Sequence, residues 1–143
     1  MKFLDFGIDA VLSFAAIGSA FGTGIAGMAA VGAWKKAFAQ NKPAPFMILV
    51  FVGAPLTQTI YGMIVMNKIA ELAAAGVTVS AVGVICGLAM GASALMQGKA
   101  GAVAADAIGE TGKGFGNYIV VIGIVETVAL FVMAFVMGLL GRS

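Results

Sequence analysis

The stretch Tyr118-Ile119-Val120-Val121-Ile122-Gly123-Ile124-Val125-Glu126-Thr127-Val128-Ala129-Leu130-Phe131-Val132-Met133-Ala134-Phe135-Val136-Met137 decides the fold. Apart from Glu126 and Thr127 it is almost wholly apolar. About 20 such residues, wound as an α-helix, cross the hydrocarbon core of a bilayer. A carboxylate inside that run costs about 2.5–3.5 kcal/mol on insertion scales, so an acid kept there points first to a functional site facing a bundle interior or an ion path. The plainer alternative is a structural carboxylic acid hydrogen-bonded to a neighbouring helix.

Composition extends this reading to the whole chain. Of 143 residues, 62% are hydrophobic and only 10% charged, against about a quarter charged in soluble domains. The expectation is an all-α integral membrane protein with a single four-helix transmembrane domain over 1–143. A net charge of +2 without a basic run argues against nucleic acid as a partner. No His and one Cys, Cys86, make a transition-metal site or an internal disulfide improbable, and Cys86 reads as a packing residue. No Gly-rich phosphate loop followed by Lys and Ser/Thr occurs, so no catalytic nucleotide site or organic cofactor is expected. Asp5 and Asp9 interrupt the beginning of the first apolar run, which reads as the mature end of a first helix rather than a cleaved leader.

Working outward from Glu126, the sequence predicts four spans: about Ile8 to Phe38, Phe46 to Ala74, Val77 to Ala105, and Phe115 to Leu140. The first connection is basic and holds Pro43 and Pro45. The third, Asp106 to Gly114, is polar and Gly-rich, with Lys99 and Lys113 flanking Asp106 and Glu110. Lys35, Lys36, Lys42, Lys99 and Lys113 thus fall on one side, and Lys2, Lys68 and Arg142 on the other. The positive-inside rule places the first and third connections in the cytoplasm and both termini outside it, in a cell membrane.

Helices one and three are rich in small residues at spacing four: Gly18, Gly22, Ala26 and Ala30, then Gly83, Gly87 and Gly91. Such faces let backbones approach closely where lipid removes the hydrophobic drive. Helices two and four carry bulk instead. This predicts small-residue helices crowded on an inner circle of many copies and bulky ones outside. The halves also echo each other: Gly18 to Gly24 aligns with Gly87 to Ser93, and Gln58-Thr59 with Glu126-Thr127. The chain reads as two hairpins, about 1–74 and 75–143, with one carboxylate for four helices because Gln58 stands where the second hairpin has Glu126.

The intramembrane polar residues converge in depth. At about 1.5 Å per residue from the cytoplasmic side, Thr57, Gln58 and Glu126 lie some 17 Å in and Gln97 about 13 Å. Thr57, Gln58 and Tyr61 share a helical face. Pro55 removes a backbone donor just before that face, and by helix geometry the freed acceptor is the carbonyl of Phe51. A carboxylate, two amide oxygens and a hydroxyl form an oxygen set suited to a hard cation, and one carboxylate neutralises one charge. A proton needs only the carboxyl and one acceptor, so the surplus of amides favours Na+ over H+. Tyr61 can hold Glu126 as a donor. The rival to this set is interhelical polar glue.

The segments Pro55-Leu56-Thr57-Gln58-Thr59-Ile60-Tyr61-Gly62, Gln97-Gly98-Lys99 and Val125-Glu126-Thr127 resemble the membrane-ring proteolipid (the K or c component) of V-type (V/A-type) rotary ATPases, in its sodium-translocating bacterial branch. The resemblance spans nearly the whole chain. It implies a homo-oligomeric ring that is not an enzyme by itself. The ring turns against a stator membrane subunit that supplies a cationic residue, and a central-stalk subunit couples it to ATP hydrolysis or synthesis. By position it implies Na+ on Glu126, Gln97, Gln58, Thr57 and the backbone carbonyl of Ala54, in place of the Phe51 carbonyl given by geometry, with Tyr61 supporting the glutamate. The sequence departs from the pattern at Val128, where close sodium-type relatives can carry Tyr, and in a first helix with little polar chemistry. The alternatives are the same ring translocating H+ and, more remotely, a small dimeric four-helix exporter.

Overall fold

A computed structural model describes residues 3–142. Lys2, counted above on the outer side, lies outside them. The described residues form α-helices and short 3-10 turns: α1 (Phe3–Ala39), α2 (Leu49–Gly53), α3 (Thr57–Ala74), α4 (Ser80–Thr111) and α5 (Phe115–Leu140), with 3-10 turns at Phe46–Ile48 and Ala54–Leu56. The stretch Phe46–Ala74 acts as one broken span, so four segments are long and apolar enough to cross a membrane. Among the described residues the fold is all-α, and its four apolar segments are consistent with a multi-pass membrane protein.

The second and fourth spans fall where hydropathy puts them, and the first ends there but begins earlier, at Phe3. The third does not. Val77 to Val79 stay outside the helix, and α4 continues through the charged residues to Thr111. Its sides explain why. Ala104, Ala105 and Ile108 remain buried beside Ala30, Ala33 and Ile48, so the apolar periodicity outlasts the apolar run. Glu110 is held by Lys36 of α1. The third connection therefore shrinks to Gly112–Gly114, where Gly112 (φ 65°) and Gly114 (φ 87°) take left-handed conformations that a side chain would strain. Asp106, expected to open that connection, and Lys99, expected to flank its acids, sit inside α4 on its exposed side. At about 1.5 Å per residue α4 is some 48 Å long, well beyond the ~30 Å hydrocarbon core, so it projects past the lipid.

Packing follows the small residues. A Cβ added to Gly18 would run into the backbone of Gly91, and one on Gly98 into the backbone of Gly22. Gly7 with Gly83 and Ala33 with Gly109 continue the seam, so α1 and α4 run parallel in close contact. The glycines aligned by the repeat, Gly18 with Gly87 and Gly22 with Gly91, are thus not the ones that face each other. The second span runs antiparallel to α1, with Gly62 against Ala15 and Pro55 against Gly22. Helix α5 packs on α3 and α4 and presents Val120, Ile124, Phe131 and Phe135 outward.

Two apolar clusters result. One gathers Val11, Val65, Ile69, Cys86 and Met90; the other gathers Ile48, Phe51, Ala105, Ile108 and Ile122. Cys86 is a buried packing residue of the first. The residues between the clusters along the helices include the buried polar side chains Ser19, Gln58, Ser93 and Gln97.

Candidate intramembrane cation site

Three helices bring the polar layer together. Pro55 has no N–H, and the second span meets it with the 3-10 turn Ala54–Leu56 before α3 resumes at Thr57. The turn directs the Ala54 carbonyl at Thr57, which donates to it through both its backbone N–H and, at 3.0 Å, its Oγ1 hydroxyl. The Phe51 carbonyl goes elsewhere. It faces the backbone at Gly101, where a Cβ would sit only 2.8 Å away. The carbonyl beside the polar side chains is therefore that of Ala54, and the geometric expectation of Phe51 is corrected: a tightened turn, not only a missing donor, decides which oxygen is turned inward.

From Thr57 a relay of side chains runs to Glu126. Thr57 Oγ1 also lies 3.1 Å from Gln58 Oε1. Gln58 Nε2 donates to Gln97 Oε1 at 2.9 Å. Gln97 Nε2 donates to Glu126 Oε2 at 3.1 Å and to the Ile122 carbonyl at 3.2 Å. The Tyr61 hydroxyl donates to the other carboxylate oxygen, Glu126 Oε1, at 2.8 Å. Gln58 and Gln97 are fully buried, whereas Thr57, Tyr61 and Glu126 are half-buried. All six positions singled out in the sequence, Ala54, Thr57, Gln58, Tyr61, Gln97 and Glu126, thus join one hydrogen-bonded cluster.

The arrangement can present oxygen to a cation without another acid. Neither ion pair recorded among the described residues, Lys36–Glu110 and Lys68–Glu71, involves Glu126. Both N–H groups of Gln97 are engaged on the α5 side, which leaves its carbonyl oxygen turned toward Gln58. The oxygens of Ala54, Thr57, Gln58 and Gln97 follow one another along the relay that ends on the carboxylate.

Further residues belong to this layer that the sequence reading passed over. Ser93 lies four residues before Gln97 on the same face of α4. Its hydroxyl donates to the Val125 carbonyl at 3.0 Å. Ser93 and Gln97 therefore grip α5 at two carbonyls in the turn just before Glu126, those of Val125 and Ile122. The spacing of four was the available signal. On α1, the Ser19 and Thr23 hydroxyls are buried without a hydrogen-bond partner.

The second hairpin can be placed among known proteins. Residues 80–140 match the family model of the ATP synthase C subunit. The matched segment is α4 and α5, which carry Gln97 and Glu126. Members of that family are non-catalytic, ion-translocating components of homo-oligomeric rings within ATP synthase. No curated protein matches the chain.

Proposed function

We propose that the chain is the rotor-ring proteolipid of a V-type (V/A-type) rotary ATPase and carries one Na+ per protomer on Glu126. The observation that carries this reading is the continuous cluster Ala54–Thr57–Gln58–Gln97–Glu126–Tyr61 at mid-span. Its oxygen set exceeds what a proton needs and matches what a hard monovalent cation takes. In this assignment Thr57, Gln58, Gln97, the Ala54 carbonyl and Glu126 ligate the ion, and Tyr61 steadies the carboxylate.

The working cycle follows from charge. A bare carboxylate is unstable against lipid, whereas one paired with its cation is neutral and can rotate through the bilayer. Loading and unloading belong at a stator membrane subunit, where water and a cationic residue offset the bare charge. That cation comes from the stator, because the spans of this chain hold no Arg. The half-buried Glu126 on α5, the outward-facing helix, suits such an exchange. The closely packed α1–α4 seam suits the inner wall of a ring, and the cytoplasmic connections suit a central-stalk subunit.

Labelling of Glu126 by a hydrophobic carbodiimide, which attacks the protonated carboxyl, tests the reading. Sodium at fixed pH and ionic strength is expected to slow the reaction. Labelling that responds to pH and ignores sodium assigns a proton ring instead. Failure to label at any pH makes Glu126 a sealed structural acid.

A further inference from the structure

A buried group of α1 faces the site without a partner. Ser19 is 2% exposed, and its buried hydroxyl meets no hydrogen-bond partner. Leaving such a group unpaired is unfavourable, so its presence asks for a bond made in another state of the site. Ala15, Ser19, Gly22 and Ala26 form one stripe of α1, at spacings of four, three and four. Two members of that stripe are fixed against the second span. A Cβ on Gly62 would sit 2.8 Å from the Ala15 methyl, and one on Gly22 would sit 2.9 Å from the Pro55 ring. Because the two segments are antiparallel, Ser19, between Ala15 and Gly22, stands level with Gln58, between Gly62 and Pro55.

Gln58 has a matching need. Its carboxamide carries two N–H donors. Among the described residues Gln58 Nε2 makes one hydrogen bond, to Gln97 Oε1. A cation drawn to the oxygens of both amides repels an N–H aimed at one of them. The Gln58 nitrogen then has to turn from Gln97, and the acceptor that α1 offers at that level is Ser19 Oγ. The Ser19 proton can meanwhile return to the Ala15 carbonyl of its own helix, a common arrangement for helical hydroxyls.

We infer that Ser19 is a positioning residue for the cation: its oxygen accepts the second N–H of Gln58 in the loaded site and so keeps Gln58 Oε1 on the ion. This rests on the proposed sodium reading and adds a member from α1, a helix outside the ligand set.

The experiment is sodium protection of Glu126 against carbodiimide in the assembled wild-type protein and in Ser19→Ala. Removing an outer group that orients a ligand weakens metal binding by about 10- to 100-fold, so Ser19→Ala is expected to raise the half-protecting sodium concentration about tenfold. Labelling without sodium and the native ring mass are expected to stay as in the wild type. A wild type that sodium does not protect overturns the sodium reading and this inference together. A protected wild type with an unchanged Ser19→Ala overturns the role of Ser19 alone. In a Gln58→Ala background, Ser19→Ala is expected to add nothing, and a further loss of the same size there means that Ser19 acts by packing and overturns the inference. If Ser19→Ala prevents assembly, a sodium-loaded structure of the wild type decides. Ser19 Oγ at hydrogen-bond distance from Gln58 Nε2 supports the inference, and a hydroxyl bonded only within α1 overturns it.

Discussion

Tyr61→Phe is the sharpest perturbation of the proposed site, because it removes one oxygen and leaves the ring in place. Tyr61 packs at the edge of the apolar cluster around Val65 and Ile69, contacts that Phe keeps. What goes is the 2.8 Å donation to Glu126 Oε1. Hydrogen bonds to charged groups contribute about 1.5–3 kcal/mol in soluble proteins. Interhelical ones in membranes average about 0.6 and reach about 1.7 kcal/mol. The half-buried setting of both partners puts this bond at about 1–2 kcal/mol, or about five- to thirty-fold in affinity. The loss falls on the loaded site because Tyr61 and Gln97 hold opposite oxygens of Glu126, and without Tyr61 only one end of the carboxylate is fixed. The expected result is a rise of about five- to thirty-fold in the sodium concentration that half-protects Glu126 from carbodiimide, with ring mass unchanged on native gels. A shift below about twofold, or tighter sodium binding, would refute the claim that Tyr61 steadies the ion-bearing carboxylate, since even the average membrane bond of ~0.6 kcal/mol gives nearly threefold.

Two further outcomes follow from the same geometry. Glu126→Gln keeps the size of the side chain and its hydrogen-bonding reach but removes the charge, so sodium transport in reconstituted vesicles is expected to vanish while the ring still assembles; a variant that pumps would sink the mechanism. Gly98→Ala drives a methyl into the backbone of Gly22, where no flexible side chain can give way, so α1 and α4 have to separate. Thermal stability of the assembled protein is expected to fall by about 1–3 kcal/mol, as for overpacking elsewhere, and a melting temperature equal to the wild type would contradict the closeness of this seam.

Much of this was legible in the sequence because membranes restrict the options so strongly. Glu126 stands out because a carboxylate is costly in lipid, and length with hydropathy places the second and fourth spans and the end of the first. The third span extends further at its C-terminal end than hydropathy predicts because charge is a poor stop signal for a helix that has left the lipid. Asp106 and Glu110 face outward while Ile108, between them, stays buried, a pattern of helical period and not of a loop. Average hydropathy blurs that period. The polar set was found by depth, a one-dimensional quantity, which is why Ser93 was passed over: its role depends on direction, toward the Val125 carbonyl of another helix. Ser19 was hidden for the opposite reason. Among Gly and Ala a single Ser looks like one more small residue, and only its full burial without a partner separates it from them. Phe51 shows a subtler limit. Sequence tells which carbonyl loses its regular partner at a proline, but the local tightening at Ala54–Leu56 decides which carbonyl is aimed at the site.

The sense of the relay explains why an amide and not a second acid stands at Gln58. Gln58 donates to Gln97, Gln97 donates to Glu126, and Tyr61 donates to Glu126 from the other side; the single Thr57 hydroxyl proton joins this sense only when it leaves the Ala54 carbonyl for Gln58 Oε1. Every one of these donors points toward the carboxylate. Successive bonds polarise one another in a low-dielectric setting, so the chain concentrates partial positive charge at Glu126 without placing a formal cation there. A carboxylate at position 58 could accept from Thr57, but when ionised it has nothing to donate to Gln97, and the sense of the relay would break at that link. It would also add a second negative charge that one monovalent cargo could not neutralise, and like charges in one site resist joint ionisation. The amide is both acceptor and donor and avoids both problems. The two hairpins thereby divide the work. The second, the one matched by the family model, bears the carboxylate; the first, in which Gln58 stands in the place of the acid, supplies hydrogen-bond donors and, on the proposed reading, the oxygens that let a single charge suffice. On the proposed reading the relay belongs to the empty site: it lowers the energy of the carboxylate only in part, and the cation, once bound, turns the Gln58 nitrogen from Gln97 and itself completes the neutralisation.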